Sequence, residues 1–197
     1  MQIYYEESPY FHFLVDNFYT PDVFSYIYNK SFELVNENTR NHCREKNDRQ
    51  VLDLMWQDIA WAKVISPFEI LAHRVCSEKN PKLLEKINHP TYGPAAQMQF
   101  IPRGWDYNTI HTDIPSKIFT FTVYISKNGK GTQIFSGPNM EDHVKTTDWK
   151  QNYGMGFIRT NDSWHNFGAL EDHDRVSITF FYRELKEYNE AKGLSYK

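Results

Sequence analysis

After Pro90 the chain breaks into five short runs of strand-forming residues, and this series limits the fold more than any other feature. The runs are Ala95–Ile101, Ile118–Ser126, Gln133–Phe135, Gly154–Thr160 and Val176–Tyr182, separated by Gly, Pro, Asn and Asp turn residues. Strands this short and unevenly spaced predict an antiparallel double-sheet jelly roll. Along Ile118–Ser126 the two faces differ in chemistry: Phe119, Phe121, Val123 and Ile125 share one side, and Thr120, Thr122, Tyr124 and Ser126 the other. The side carrying Tyr124 is expected to line the barrel, and the Phe side to meet helices.

Those helices are expected upstream. Phe11–Tyr19 reads as a short strand ending in a turn, and Thr20-Pro21-Asp22 as a helix start with Thr at the N-cap and Pro in the first turn, which predicts a helix over Pro21–Leu34. Asn36–Arg49, rich in Asn, Arg, Lys and Glu, reads as an exposed linker. From Val51 to Ile87 the apolar residues, among them Phe68, Leu71, Val75 and Leu83, fall at helical spacing, with Pro67 and Pro81 as interruptions. One domain is therefore expected: residues 1–90 as a mostly helical cap and 91–197 as the core, an α+β, mainly β fold with N-terminal helices packed on one sheet.

Composition excludes several function classes. A net charge of -3 gives no basic field of the kind that dominates nucleic-acid affinity, so nucleic acid is disfavoured as a partner. Two cysteines, Cys43 and Cys76, form no zinc-like spacing and no disulfide framework. The start lacks a basic segment followed by an apolar one, and no run approaches the roughly eighteen apolar residues of a membrane span. A cytoplasmic protein with no membrane contact is expected.

Within the strand series lie His111-Thr112-Asp113, then His165, then Arg175. In an extended segment His111 and Asp113 point the same way, so both can reach one ion while a distant strand supplies His165. Two imidazoles and one carboxylate leave three positions of an octahedral ion open, the donor set of non-haem Fe(II) oxygenases. The other six histidines (His12, His42, His73, His89, His143 and His173) are read as ordinary core or surface residues. Arg175 opens a strand, where an inward guanidinium is costly unless it meets an anion, and its planar fork fits a carboxylate.

The segment Gln97–Tyr182 resembles the catalytic core of the Fe(II)- and 2-oxoglutarate-dependent oxygenases, most closely the prolyl-hydroxylase branch and its small stand-alone members of bacteria and phages. That fold is a cupin-like double-stranded β-helix. The resemblance implies that His111, Asp113 and His165 hold Fe(II), and that Arg175, ten residues after His165, binds the far carboxylate of 2-oxoglutarate. It also implies that Tyr124 and Thr179 help there, with Gln99 and Ser177 as further cofactor-binding candidates. Gly131-Thr132-Gln133-Ile134-Phe135 departs from the family's Gly-Gly strand at Thr132, and Phe100 stands where a Tyr is common. Lys117 is read as a solvated surface lysine.

A hydroxylase consuming O2 and 2-oxoglutarate is thus implied, with ascorbate as a reductant and the host cytoplasm as its place if the source is viral. Its implied substrate is a prolyl or other amino-acid residue of a peptide or protein, or a small molecule. Trp105 and Tyr107, in the loop before the metal pair, are candidate substrate contacts. The alternatives are a nucleic-acid demethylase of the same superfamily and a metal-binding cupin-like module without oxygenase chemistry. The demethylases tend to place a second Arg six residues after the first, where this chain has Phe181.

Overall fold

The computed structural model describes residues 1–41, 50–54 and 59–185, with the side chains at 36–41, 50 and 106–108 outside that description. The order of elements is β1 (Gln2–Glu6), β2 (His12–Asp16), α1 (Pro21–Asn41), β3 (Gln50–Asp53), α2 (Trp61–Lys79), α3 (Pro81–Ile87), β4 (Tyr92–Ile101), β5 (Asp106–His111), β6 (Lys117–Tyr124), β7 (Gln133–Phe135), β8 (His143–Thr146), β9 (Gly154–Ile158), β10 (His165–Gly168) and β11 (Arg175–Glu184). The strands form two antiparallel sheets. The larger has the order β1-β2-β9-β6-β11-β4-β3 and the smaller β5-β10-β7-β8. This is the expected jelly roll.

The helices cover the outer face of the larger sheet. Val64, Phe68, Leu71 and Val75 recur on one side of α2 and are fully buried against Phe119, Phe121 and Phe180 of β6 and β11. Phe68 stacks on Phe180 at 5.1 Å and on Tyr182 at 5.4 Å between ring centroids. The alternation in β6 comes out as expected, with Phe119, Phe121 and Val123 in this core and Thr120 and Thr122 on the cavity between the sheets.

In β9 the same alternation is built from Gly and bulky residues. Met155 and Phe157 face the cavity, while Gly154 and Gly156 lie under neighbouring rings: a Cβ on Gly156 would sit 2.4 Å from Phe13 Cζ and 2.7 Å from the Thr120 carbonyl oxygen. The glycines make room for Phe13 and Phe121, which close the sheet against the helices.

Several boundaries differ from expectation. The strand expected within Phe11–Tyr19 is β2, His12–Asp16, and α1 continues seven residues past Leu34 to Asn41. Residues 36–41 of the expected linker are therefore helical, and 42–49 fall outside the described residues. The N-terminal part is also less helical than predicted, because β1, β2 and β3 all join the larger sheet. Three of the four residues of β3, 51–53, lie in the stretch expected to be helical: the register places Val51 opposite Gln99 and Leu52 opposite Met98, and pairing with β4 overrides a weak helical period.

Pro67 lies inside α2 without ending it, since the apolar face on both sides of it is buried. Pro81 does divide two helices, opening α3 behind Asn80, whose side chain accepts a hydrogen bond from the Leu83 N–H. The strands β1, β5, β8 and β10 carry no strong alternating signal, and their pairing partners define them. No helix among the described residues is long and apolar enough to cross a membrane.

Candidate metal centre

Two short strands of the smaller sheet bring the histidines together. His111 is the last residue of β5 and His165 the first of β10, and the antiparallel register sets them directly opposite each other. Their ring centroids are 4.5 Å apart. Asp113 follows two residues beyond the end of β5, and one ligand atom from each of the three side chains lies within 4.8 Å of the others.

Each imidazole is oriented by its own backbone: His111 Nδ1 is 3.1 Å from the Thr109 carbonyl oxygen and His165 Nδ1 2.9 Å from that of Ser163. A carbonyl only accepts, so Nδ1 carries the hydrogen in both rings and Nε2 presents its lone pair. Burial pushes the His165 pKa down to about 4, with Asp113 raising it and His111 lowering it, so this ring is neutral and able to ligate at neutral pH.

Asp113 is held at both oxygens. Thr120 Oγ1 donates to Oδ2 at 2.6 Å and Lys117 Nζ to Oδ1 at 3.1 Å, while Arg159 Nε donates to the Asp113 backbone carbonyl at 3.0 Å. Burial alone would raise the carboxyl pKa. The charges of Lys117 and His165 and the bonds from Thr120 and Lys117 outweigh it and hold Asp113 below the ordinary aspartate range, hence ionised. Lys117 is therefore not the solvated residue expected: its side chain lines the cavity beside Asp113, with Nζ 4.4 Å from the Phe181 ring centroid. Thr120 was also missed as a partner of Asp113, although it shares the inward parity of Tyr124.

Arg175, at the start of β11, is 1% exposed. Its Nε and Nη1 have no hydrogen-bond partner among the described residues. Three rings surround the guanidinium instead: Phe167 at 5.2 Å, Trp149 at 5.4 Å and Tyr124 at 5.9 Å from Cζ. Burial pushes its pKa down to about 10, so it is still charged at neutral pH. A buried cation without an acceptor is a costly state, and the remedy is a bound anion. Arg175 and the three potential ligands line one cavity of about 340 Å³, large enough for a small diacid beside an ion.

No protein-family model matches the sequence, and the comparison with curated proteins finds no match. Solved structures do match in shape. A Pseudomonas putida prolyl-4-hydroxylase superposes with TM-score 0.62 and 12% identity, over 88% of this chain and 92% of that one. A Trichoplax adhaerens prolyl hydroxylase, in complex with a hypoxia-inducible-factor peptide fragment, gives 0.61 and 16%, over 91% and 86%. The viral collagen prolyl hydroxylase of Paramecium bursaria Chlorella virus-1, in its 2-oxoglutarate complex, gives 0.52 and 13%, over 88% and 96%. This chain has the prolyl hydroxylase fold.

Within that prolyl hydroxylase fold the other expected site residues take different places. Thr179 lines the cavity, its Oγ1 3.0 Å from that of Thr122 on the neighbouring strand. Gln99 and Gln97 also face it, and Gln97 Nε2 donates to Asp53 Oδ1 at 2.7 Å, tying β3 to the cavity wall. Ser177, between Arg175 and Thr179, is fully buried with its hydroxyl unpartnered among the described residues, and stands outside the cavity lining.

Tyr124 is fully buried behind that lining, its hydroxyl bonded to Thr132 and Thr147. Trp105 stacks on Phe167, which lines the cavity, and packs with Ile101 and Ala169 without itself joining the lining, while the Tyr107 side chain falls outside the described residues. Of the histidines read as ordinary, His12, His89 and His143 hydrogen-bond to local partners, His173 Nδ1 lies 2.7 Å from Asp172 Oδ1, and His42 is outside the described residues.

Proposed function

We propose that the chain is an Fe(II)- and 2-oxoglutarate-dependent dioxygenase that hydroxylates an unactivated C–H bond, with a prolyl or other amino-acid residue of a peptide or protein as substrate. One observation carries the proposal: the buried guanidinium of Arg175, whose Nε and Nη1 have no acceptor among the described residues, lines the same cavity as the His111–Asp113–His165 trio. A metal site alone has no use for such a cation, whereas a keto-diacid that chelates the ion at one end and ends in a carboxylate at the other needs both.

Nε2 of His111, Nε2 of His165 and a carboxylate oxygen of Asp113 would hold the iron, which leaves positions for the keto acid and oxygen. Once bound, the iron and co-substrate supply the oxidation, in which O2 and 2-oxoglutarate become succinate and CO2 while the second oxygen atom enters the substrate as hydroxyl. The protein supplies placement. Arg175 and Thr179 hold the far carboxylate, the backbone carbonyls of Thr109 and Ser163 fix the imidazoles, and Met155 and Phe157 give the cavity an apolar wall against water. An external reductant such as ascorbate would keep the iron ferrous between turnovers. The viral relative solved with 2-oxoglutarate and the Trichoplax relative solved with a peptide support this choice of co-substrate and substrate class.

Fe(II)-dependent succinate release from 2-oxoglutarate, measured with and without candidate peptides, tests the proposal. His111→Ala and Asp113→Ala are each expected to abolish iron retention, while Arg175→Ala retains iron and needs at least about tenfold more 2-oxoglutarate, the worth of a charge-assisted hydrogen bond. Full turnover by His111→Ala would reject the site.

A further inference from the structure

Around Tyr124 lies an arrangement that a role as hydrogen-bond donor to the co-substrate does not explain. A phenol has one proton to give and two lone pairs to accept with. The Tyr124 hydroxyl already spends its proton on Thr132 Oγ1 at 3.1 Å, lies 2.7 Å from Thr147 Oγ1, and shares the Thr132 N–H with Thr147 Oγ1, at 3.1 Å and 2.9 Å respectively. The ring is fixed as firmly. Trp149 stacks on it at 4.3 Å and 16°, and the indole N–H donates to the Ser126 carbonyl at 2.9 Å.

Two glycines permit this packing. A Cβ on Gly129 would lie 2.5 Å from the Trp149 ring, and one on Gly131 would lie 1.9 Å from the Thr147 carbonyl oxygen. Thr132, which bonds to the Tyr124 hydroxyl, lines the cavity with Arg175, and Tyr124 does not.

Building on the proposed 2-oxoglutarate site, we infer that Tyr124 is a structural clamp and not a co-substrate ligand, and that Thr132 is the specificity-determining residue that sets the length of diacid the pocket admits. The far carboxylate then takes its hydrogen bonds from Arg175, whose Nε and Nη1 have no acceptor among the described residues, and meets the Thr132 side chain as the end wall. Removing that side chain deletes three heavy atoms, more than the single methylene by which 2-oxoadipate exceeds 2-oxoglutarate.

Calorimetric titration of the Mn(II)-loaded protein with 2-oxoglutarate and with 2-oxoadipate separates these roles. The wild type is expected to prefer 2-oxoglutarate by about tenfold or more, the usual worth of one methylene in a fitted pocket. Thr132→Gly is expected to narrow that ratio by about tenfold. Thr132→Ala, which keeps a Cβ, moves the ratio in the same direction by less and serves if the glycine variant does not fold. Thr132→Ser, which retains the hydroxyl, is expected to stay close to the wild type. Tyr124→Phe is expected to lower the melting temperature while changing the 2-oxoglutarate Kd less than about threefold.

A tenfold or greater loss of 2-oxoglutarate affinity in Tyr124→Phe makes the phenol a ligand and overturns the clamp. An unchanged ratio in Thr132→Gly or Thr132→Ala overturns the role of Thr132. Absence of 2-oxoglutarate binding by the wild type itself overturns the proposed function, a result distinct from either.

Discussion

At the scale of single residues, the carboxylate of Asp113 shows how the site is set before any ion arrives. Thr120 binds one oxygen and Lys117 the other, so the side chain has little rotamer freedom left to lose on ligation. Thr120→Val keeps the shape and removes the hydroxyl. It is expected to weaken Mn(II) or Fe(II) binding about tenfold to a hundredfold, as measured by titration under anaerobic conditions, with the circular dichroism unchanged. Unaltered affinity would show that Lys117 alone suffices to hold the carboxylate. Thr120 carries no sequence signal of this role beyond sharing a strand face with Tyr124. Lys117 carries a misleading one, since a lysine near a turn ordinarily reaches water.

At the scale of elements, β9 and α2 explain why the larger sheet can be polar inside and aromatic outside. The glycines of Gly154-Met155-Gly156-Phe157 accept rings from β2 and β6, and Phe68 of α2 stacks on the same aromatic layer. Gly156→Ala is expected to destabilise the protein by about 1–3 kcal/mol, because the new methyl meets the Phe13 ring and the backbone of Thr120, and only the ring can move. Phe68→Ala, which leaves a cavity between helix and sheet, is expected to cost about 3–5 kcal/mol. Urea denaturation of both variants checks the order, and a neutral Gly156→Ala would mean that Phe13 gives way freely. The alternation of β6 was legible from its residues, but the shorter strands β8 and β10 were not, because three or four residues contain too little of a period to distinguish strand from loop.

At the scale of the whole molecule, the two sheets are joined at one edge by Glu6 of β1, His12 of β2 and Lys145 of β8. Glu6 bonds to Lys145 and lies 3.5 Å from His12 Nε2. Burial is the main cause of a lowered His12 pKa, opposed by the Tyr10 carbonyl and by Glu6 and reinforced by Lys145. The unfolded chain therefore takes up a proton near pH 6.5 while the folded one stays neutral, so stability rises with pH up to about 6.5 and is level above it. The bond to Lys145 is the first cause of a lowered Glu6 pKa, which adds stability that is lost as pH falls through about 4.5. Urea midpoints between pH 5 and 7.5 are expected to fall with acidity in the wild type and to fall less in His12→Gln, with buried His165 carrying the remainder. Equal slopes in the two proteins would remove His12 from the account.

The sequence by itself determined the strand-rich second half, the inward and outward faces of β6, the trio of potential ligands and the cation placed for a carboxylate. These depend on residue type and on periods of two, which local chemistry writes directly into the chain. Only the tertiary structure decided that β3 joins the larger sheet, that His111 and His165 stand opposite each other across β5 and β10, that Lys117 turns inward to Asp113 and that the Tyr124 hydroxyl is engaged by Thr132 and Thr147. Each of these depends on register between segments far apart in the chain, and register is set by which pairings bury the most surface and satisfy the most hydrogen bonds together.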